Sequence, residues 1–328
     1  MKAAWYTHNG DAQDVMVVGE LPTPSPQAGE VLVRLATSGV NPSDVKSRRA
    51  RPVTDPLIVP HSDGAGVIEA VGAGVSAARV GERVWLWNGQ WQRPLGTCAD
   101  YIALPEAQAV ALPADTDFAA GACMGIPGLT AVQAVILAER LAGDLRGQTV
   151  LVTGASSAVG HYITQMVTLV GGRVIGTVGS EAKAAHARAA GLQEAIFYKT
   201  EPVPERVKAL THGRGADVII DMDFSTTARW ASEGALAAHG QVVCYGSNAL
   251  EVPLPFRPWL YQSMGVRFFL VYDLTPADRR VAVQRLSDML ARQQLQHSIG
   301  ARFGLAQIAQ AHRTVEAGQT VGNVVIDL

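Results

Sequence analysis

This sequence has no apolar run long enough to cross a bilayer, so no membrane-spanning helix is expected. Its first residues, MKAAWYTHNG, lack the apolar core of a signal peptide. Cysteine is scarce. Cys98, Cys123 and Cys244 are odd in number and far apart, which argues against a disulfide framework and for a reducing compartment. Charge of one sign is also missing: 27 basic against 29 acidic residues leave a net charge of −2. Nothing in that balance draws the chain to nucleic acid or to an anionic membrane. A cytoplasmic protein without nucleic-acid or membrane partners is expected. What is present is a 328-residue chain, 48% hydrophobic and 17% charged, enough for two domains with sizeable cores.

The most informative stretch is Gln148–Gly191. An apolar run, Thr149–Thr153, ends in small residues, Gly154–Ala158. Val159, Ile163, Met166, Val167 and Val170 then recur at helical spacing. Gly171-Gly172 stops that helix, and Arg173–Val178 reads as a second strand. This is a βαβ unit whose tight turn opens a helix, the geometry that brings backbone N–H groups close to a pyrophosphate. Ser156, Ser157, Ala158 and Val159 are the candidate contacts. The G-x-G-x-x-G pattern falls on Ala155, Ser157 and Gly160, so two of its three glycines are absent. Further strands are expected at Glu194–Tyr198, Asp217–Asp221 and Gln241–Tyr245, with helical patterns between them. Such alternation indicates an α/β fold with a doubly wound parallel sheet.

The first 120 or so residues differ. Short β-rich runs at Val31–Thr37, Gly66–Val71, Arg83–Trp87 and Tyr101–Leu104 are separated by turns such as PTPSPQAGE, the pattern of a β-rich domain. Gly128–Ala142 reads as a helix. Towards the end, Gly265–Tyr272 reads as a strand, Pro276–Gln293 and Leu305–Glu316 as helices, and Asn323–Leu328 as a terminal strand.

A set of motifs in order carries a family resemblance. They are GVNPSDVKSR (Gly39–Arg48), HSDGAGVIEAVGAGV (His61–Val75), GERVW (Gly81–Trp85), GTCADYIALP (Gly96–Pro105), GIPGLTAVQAV (Gly125–Val135), the βαβ unit and the terminal GNVVIDL. The chain resembles zinc-free medium-chain dehydrogenases/reductases, above all NADPH:quinone reductases of the zeta-crystallin type. The resemblance implies a GroES-like β-rich domain at 1–122 and 267–328 and a Rossmann-type cofactor domain at 123–266. It also implies a homodimer paired along the Gly265–Tyr272 edge. Three ligand positions of the zinc-dependent relatives correspond here to Asn41, Ser62 and Ile126, a poor donor set for zinc, so no metal is expected.

The second strand ends Thr177-Val178-Gly179-Ser180, without the acidic residue that holds a ribose 2′-OH in NAD-binding domains. Ser180 can cap the following helix. Lys183 and Tyr198 match positions that hold the 2′-phosphate in the quinone reductases, so NADPH is the expected cofactor. Lys183 also reads as a solvated helix lysine, and Tyr198 as a strand-end packing aromatic. The resemblance places Asn41, Thr130, Tyr245, Gly246, Ser247, Phe269 and Asn323 near the cofactor, with Asn41 facing the acceptor as well. The relatives' Tyr five positions after that Asn is Lys46 here. Lys46 either replaces the phenol as a donor to the acceptor oxygen or is an exposed lysine. Arg48 and Arg49 suggest a basic rim beside it. Trp85, Trp87 and Trp91 either line a flat aromatic slot or fill the core. The expected activity is NADPH-dependent quinone reduction. Reduction of enones or 2-alkenals and a non-catalytic, crystallin-like NADPH-binding role are the alternatives.

Overall fold

A computed structural model describes the whole chain, Met1–Leu328. Its strands are β1 (Lys2–Trp5), β2 (Val17–Glu20), β3 (Glu30–Val40), β4 (Asp63–Val71), β5 (Arg83–Leu86), β6 (Tyr101–Pro105), β7 (Ala109–Ala111), β8 (Thr149–Val152), β9 (Arg173–Val178), β10 (Glu194–Phe197), β11 (Ala216–Asp221), β12 (Leu236–Cys244), β13 (Gly265–Phe268), β14 (Ile299–Gly304) and β15 (Asn323–Asp327). The longer helices are α1 (Pro42–Ala50), α2 (Leu129–Ala142), α3 (Ala158–Leu169), α4 (Glu181–Ala189), α5 (Val203–Leu210), α6 (Phe224–Trp230), α7 (Pro276–Ala291) and α8 (Ile308–Ala317). No helix is long and apolar enough to cross a membrane.

The chain forms two units. The first, Met1–Pro127 with Ser287–Leu328, is the GroES-like one. Its main sheet runs β14-β15-β3-β4-β5-β7, with β6 also on β3. Alternation along β3 points Val31, Val33 and Leu35 inward and Arg34 outward. These side chains meet Ile68, Val84, Leu86, Ile102 and Leu104 in one apolar cluster. A second cluster joins Ala3, Val59 and Cys98 to Ile308 of α8 and to Val324 and Ile326 of β15. The last residues of the chain thus complete the core begun by the first.

The second unit, Gly128–Leu286, is Rossmann-like. Six parallel strands follow the order β10-β9-β8-β11-β12-β13. Every residue of β8 is buried, and ten successive residues of α2 are buried as well. A parallel sheet covered on both faces has this continuous apolar character. The order reverses between β8 and β11, which leaves a crevice at the carboxyl ends of those strands.

The observed boundaries differ from 122/123 and 266/267. The one-turn π-helix Met124–Gly128 falls largely in the first unit, where the Ile126 amide faces the Asp63 carboxyl. The return to the first unit comes only at Ser287. Strand β13 is hydrogen-bonded to β12, and the ion pairs Arg140–Asp278 and Arg285–Glu139 tie the first part of α7 to α2. Strand β12 begins at Leu236, not Gln241. A register irregularity lets Ala216 pair with Leu236 before Val218 pairs with Gln241, with His239 at φ 63° between them. Strand β13 stops at Phe268, short of Tyr272.

Candidate functional site

Strand β8 ends in a turn at Gly154, where φ is +65° and a side chain would overlap Met222. Ser157 caps α3, its Oγ accepting the Gly160 N–H at 3.0 Å. Gly160 is the one fingerprint glycine retained, and a Cβ there would overlap the Gly154 carbonyl oxygen. At the first fingerprint position the methyl of Ala155 is accommodated from the neighbouring strand. It would lie 2.5 Å from a Cβ on Gly176 of β9. Gly176 thus leaves room for the methyl that the turn carries. Ser156, Ser157, Ala158 and Val159 therefore stand at the opening of a twelve-residue helix, where free amides and the dipole favour an anion.

A buried carboxyl fixes the crevice from below. Asp221 ends β11 and accepts from the hydroxyls of Thr153 (2.8 Å) and Thr227 (2.7 Å) and from the Asp223 amide (3.1 Å). The Thr153 hydroxyl in turn accepts from the Met222 amide at 2.9 Å. Burial raises the Asp221 pKa against the pull of these donors. Sequence reading passed over Asp221. Its only signal was an acidic residue closing an apolar strand.

At the end of β9, Ser180 caps α4 by accepting the Lys183 N–H at 3.4 Å. Lys183 is half-buried. Glu181 is engaged by Arg188 at 2.6 Å, and Glu201 by the Phe197 amide at 2.7 Å. The Tyr198 hydroxyl lies 3.4 Å, and the Lys199 Cε 3.7 Å, from where a Gly179 Cβ would stand. Lys199 was not singled out from sequence, because nothing in its spacing shows that it folds back over Gly179. Lys183, Tyr198 and Lys199 give this corner donors and positive charge.

Along the same rim, the Tyr245 amide donates to the Asp221 carbonyl at 3.0 Å, and the Phe269 amide to that of Cys244 at 3.1 Å. The Tyr245 hydroxyl is buried, faces Ser157 and completes no hydrogen bond. The Gly246 carbonyl accepts from the Phe224 amide at 3.0 Å, and the Ser247 hydroxyl donates to the Ala249 carbonyl. Tyr245, Gly246, Ser247 and Phe269 border a cavity of about 550 Å³ with Phe224 and Leu254. Thr130 is buried on α2.

In the first unit, Asn41 caps α1 and is 5% exposed. Its Nδ2 donates to Asp63 Oδ2 at 2.8 Å, and its backbone N–H donates to Asp44 Oδ2 at 2.7 Å. Both carboxyls are buried. Burial pushes Asp44 up to about 7 and Asp63 well above the usual carboxylate range. Lys46 is exposed on α1 and makes no hydrogen bond or ion pair. The Val324–Val40 pair brings the strand ends carrying Asn323 and Asn41 side by side. The Asn323 amide donates to the Ser298 carbonyl at 3.0 Å.

The expected basic rim does not form. Arg48 is fully buried and bonded to Glu316, while exposed Arg49 pairs with the same carboxylate and with Asp11. Trp85 fills the core, Trp87 donates to the Ala107 carbonyl at 3.1 Å, and Trp91 lies under Arg51. At the zinc-ligand positions Asn41 offers an amide already bound to Asp63, Ser62 a buried hydroxyl and Ile126 no donor. No group of three His, Cys, Asp or Glu side chains is placed to hold a metal ion. These donors do not fit zinc.

Residues 158–288 match the family model described as zinc-binding dehydrogenase, and residues 27–114 match the alcohol dehydrogenase GroES-like domain. A 2-haloacrylate reductase of a Burkholderia species is 30% identical over 338 residues, covering 99% of both chains. A quinone oxidoreductase of Pseudomonas aeruginosa is 32% identical over 271 residues, 81% of this chain and 80% of its own. A mycobacterial protein solved in complex with NADPH is 28% identical, with a TM-score of 0.87 and full coverage of both chains.

Proposed function

The chain belongs to the medium-chain dehydrogenase/reductase family, and from that premise we propose that this oxidoreductase reduces quinones with NADPH by direct hydride transfer without metal. The observation that carries the cofactor choice is the β9 corner. The side-chain atoms nearest Gly179 belong to Tyr198 and Lys199, with no carboxylate among them, and Lys183 lies in the first turn of the helix that follows. A 2′-phosphate suits that corner, whereas a bare 2′-OH finds no acceptor there.

NADPH, when bound, supplies the hydride that with one proton converts a quinone to its hydroquinone. The chain's own residues do the rest. The amides of Ser156–Val159 hold the pyrophosphate, and the segment Tyr245–Ser247 with Phe269 bounds the nicotinamide end. Asn41, its amide turned by Asp63, and Lys46, its ammonium unengaged, serve the acceptor. A quinone delocalises the incoming charge itself, so it needs no Lewis acid. The 2-haloacrylate reductase relative supports a second acceptor class, activated alkenes, through the same hydride chemistry. The outer edge of β13 is unpaired, with Phe268 and Tyr261 exposed beside it, which supports a homodimer joined along that edge.

Steady-state oxidation of NADPH and NADH with 1,4-naphthoquinone and with trans-2-hexenal tests the reading. Turnover on the quinone with NADPH is expected. Turnover on the alkenal alone would transfer the activity to activated alkenes. Tight NADPH binding without turnover on either would make this a non-catalytic binding protein.

A further inference from the structure

A chain of buried polar groups crosses the first unit behind Asn41, and its donors from Arg48 to Ser38 have a determined direction. Arg48 Nε is 3.3 Å from His312 Nδ1. A guanidinium only donates, so that ring nitrogen accepts and neutral His312 carries its proton on Nε2. His312 Nε2 lies 3.0 Å from His61 Nε2, which therefore accepts. The proton of His61 is then on Nδ1, which donates to Ser38 Oγ at 2.8 Å. The Ser38 hydroxyl lies 2.8 Å from Thr97 Oγ1 and 3.5 Å from the Asp63 carbonyl, to which the Thr97 hydroxyl donates, so either hydroxyl carries the chain to Asp63. Protonating either imidazole would set N–H against N–H, so both are neutral. Their burial, 0% exposed in each case, agrees.

The chain is anchored at both ends. Arg48 sits on α1 and also bonds the Gly10 carbonyl and Glu316. Its far end is Asp63, whose carboxyl holds the Asn41 amide at the other end of α1. His61 adopts φ 77°, a left-handed conformation that is strained in a residue other than glycine. Its two ring hydrogen bonds hold it there, and residue 61 sets the path of Ser62 and Asp63. One helix is thus clamped at both ends to one short segment.

We propose that His312 and His61 are positioning residues for Asn41, acting through Asp63 as a one-way hydrogen-bonded strut between the two ends of α1. The proposal rests on the reading of Asn41 at the acceptor. His312 comes from α8, outside every motif, and makes no hydrogen bond to a residue proposed to bind cofactor or acceptor.

Three variants and one spectrum test it. His312→Leu should lower quinone kcat about tenfold, because small misplacements of a positioned group are costly. NADPH affinity should be unchanged. His312→Gln should recover turnover, since one amide can accept from Arg48 and donate to His61. Imidazole ¹⁵N spectra of the wild type should show His61 as the Nδ1–H and His312 as the Nε2–H tautomer. Asn41→Ala separates the two readings. If Asn41→Ala is slow while His312→Leu turns over like wild type, the positioning role is wrong and the acceptor reading stands. If Asn41→Ala turns over normally, the acceptor reading fails and the strut has nothing to position. Opposite tautomers, or a protonated ring near neutral pH, would overturn the strut without reference to turnover.

Discussion

Acidification should expose the buried histidine pair as a stability term. Burial and the adjacent Arg48 hold His312 at about 3, against 6.5 for an exposed histidine. The charged groups facing it are Arg48 and, through Arg48, Glu316. His61 stacks on it. Between those two pKa values the unfolded chain binds a proton that the folded chain refuses, so stability falls as pH falls below 6.5 and is unaffected above it. At about pH 5.5, one unit below the unfolded value, the cost for His312 is about 1.4 kcal/mol. His61 adds in the same direction. Asp44, raised from 3.8 to about 7, works in the opposite sense, because its folded form keeps a proton that the unfolded form loses across that window. The wild-type profile is therefore muted, and the histidine contribution must be isolated by difference. Urea unfolding of wild type and His312→Gln at about pH 7.5 and about pH 5.5 does this, with the wild type losing about 1.4 kcal/mol more than the variant. Parallel losses in the two proteins would refute a neutral buried His312.

Four further outcomes are expected. NADPH should bind at least about tenfold more tightly than NADH, and Lys183→Ala or Lys199→Ala should weaken NADPH selectively, as titration by tryptophan fluorescence would show. Gly160→Ala should destabilise the second unit by about 1–3 kcal/mol, since the added methyl overlaps the Gly154 carbonyl, and thermal unfolding reads this directly. Lys46→Met should lower quinone turnover about tenfold with cofactor affinity unchanged, and an unchanged rate would assign Lys46 to solvent. Light scattering should give twice the 34.6 kDa chain mass, and a monomer at micromolar concentration would exclude the β13 contact.

The second unit was legible because its signals are local. An apolar strand, a small-residue turn and a helical period lie within Thr149–Val170, and the structure reproduces them almost residue for residue. The boundaries were less so. Val266 and its neighbours pair with β12, yet strand pairing leaves no trace in a short apolar run. The site divides in the same way. Ser180 is identifiable as a helix cap from its own neighbourhood, and Ser157 as a candidate contact at the turn that opens α3. Lys199 and Asp221 carry no periodic signal. Arg48 read as a surface charge because it neighbours Arg49, and its burial depends on Glu316 and His312, which arrive from α8. Long-range polar partners of this kind are invisible to any window of sequence.

The exchange between Ala155 and Gly176 has a consequence for comparing such chains. Methyl groups on residues 155 and 176 cannot both fit between the phosphate turn and the strand below it, and one on residue 176 must displace Leu192 as well. The two sites should therefore covary. Gly176→Ala alone should be damaging, with its Cβ 2.5 Å from that of Ala155 and 2.7 Å from Leu192 Cδ1, and Ala155→Gly should recover the part of the loss due to the first overlap. A chain missing the first glycine of the turn can then be recognised as competent by the glycine it carries twenty-one residues later.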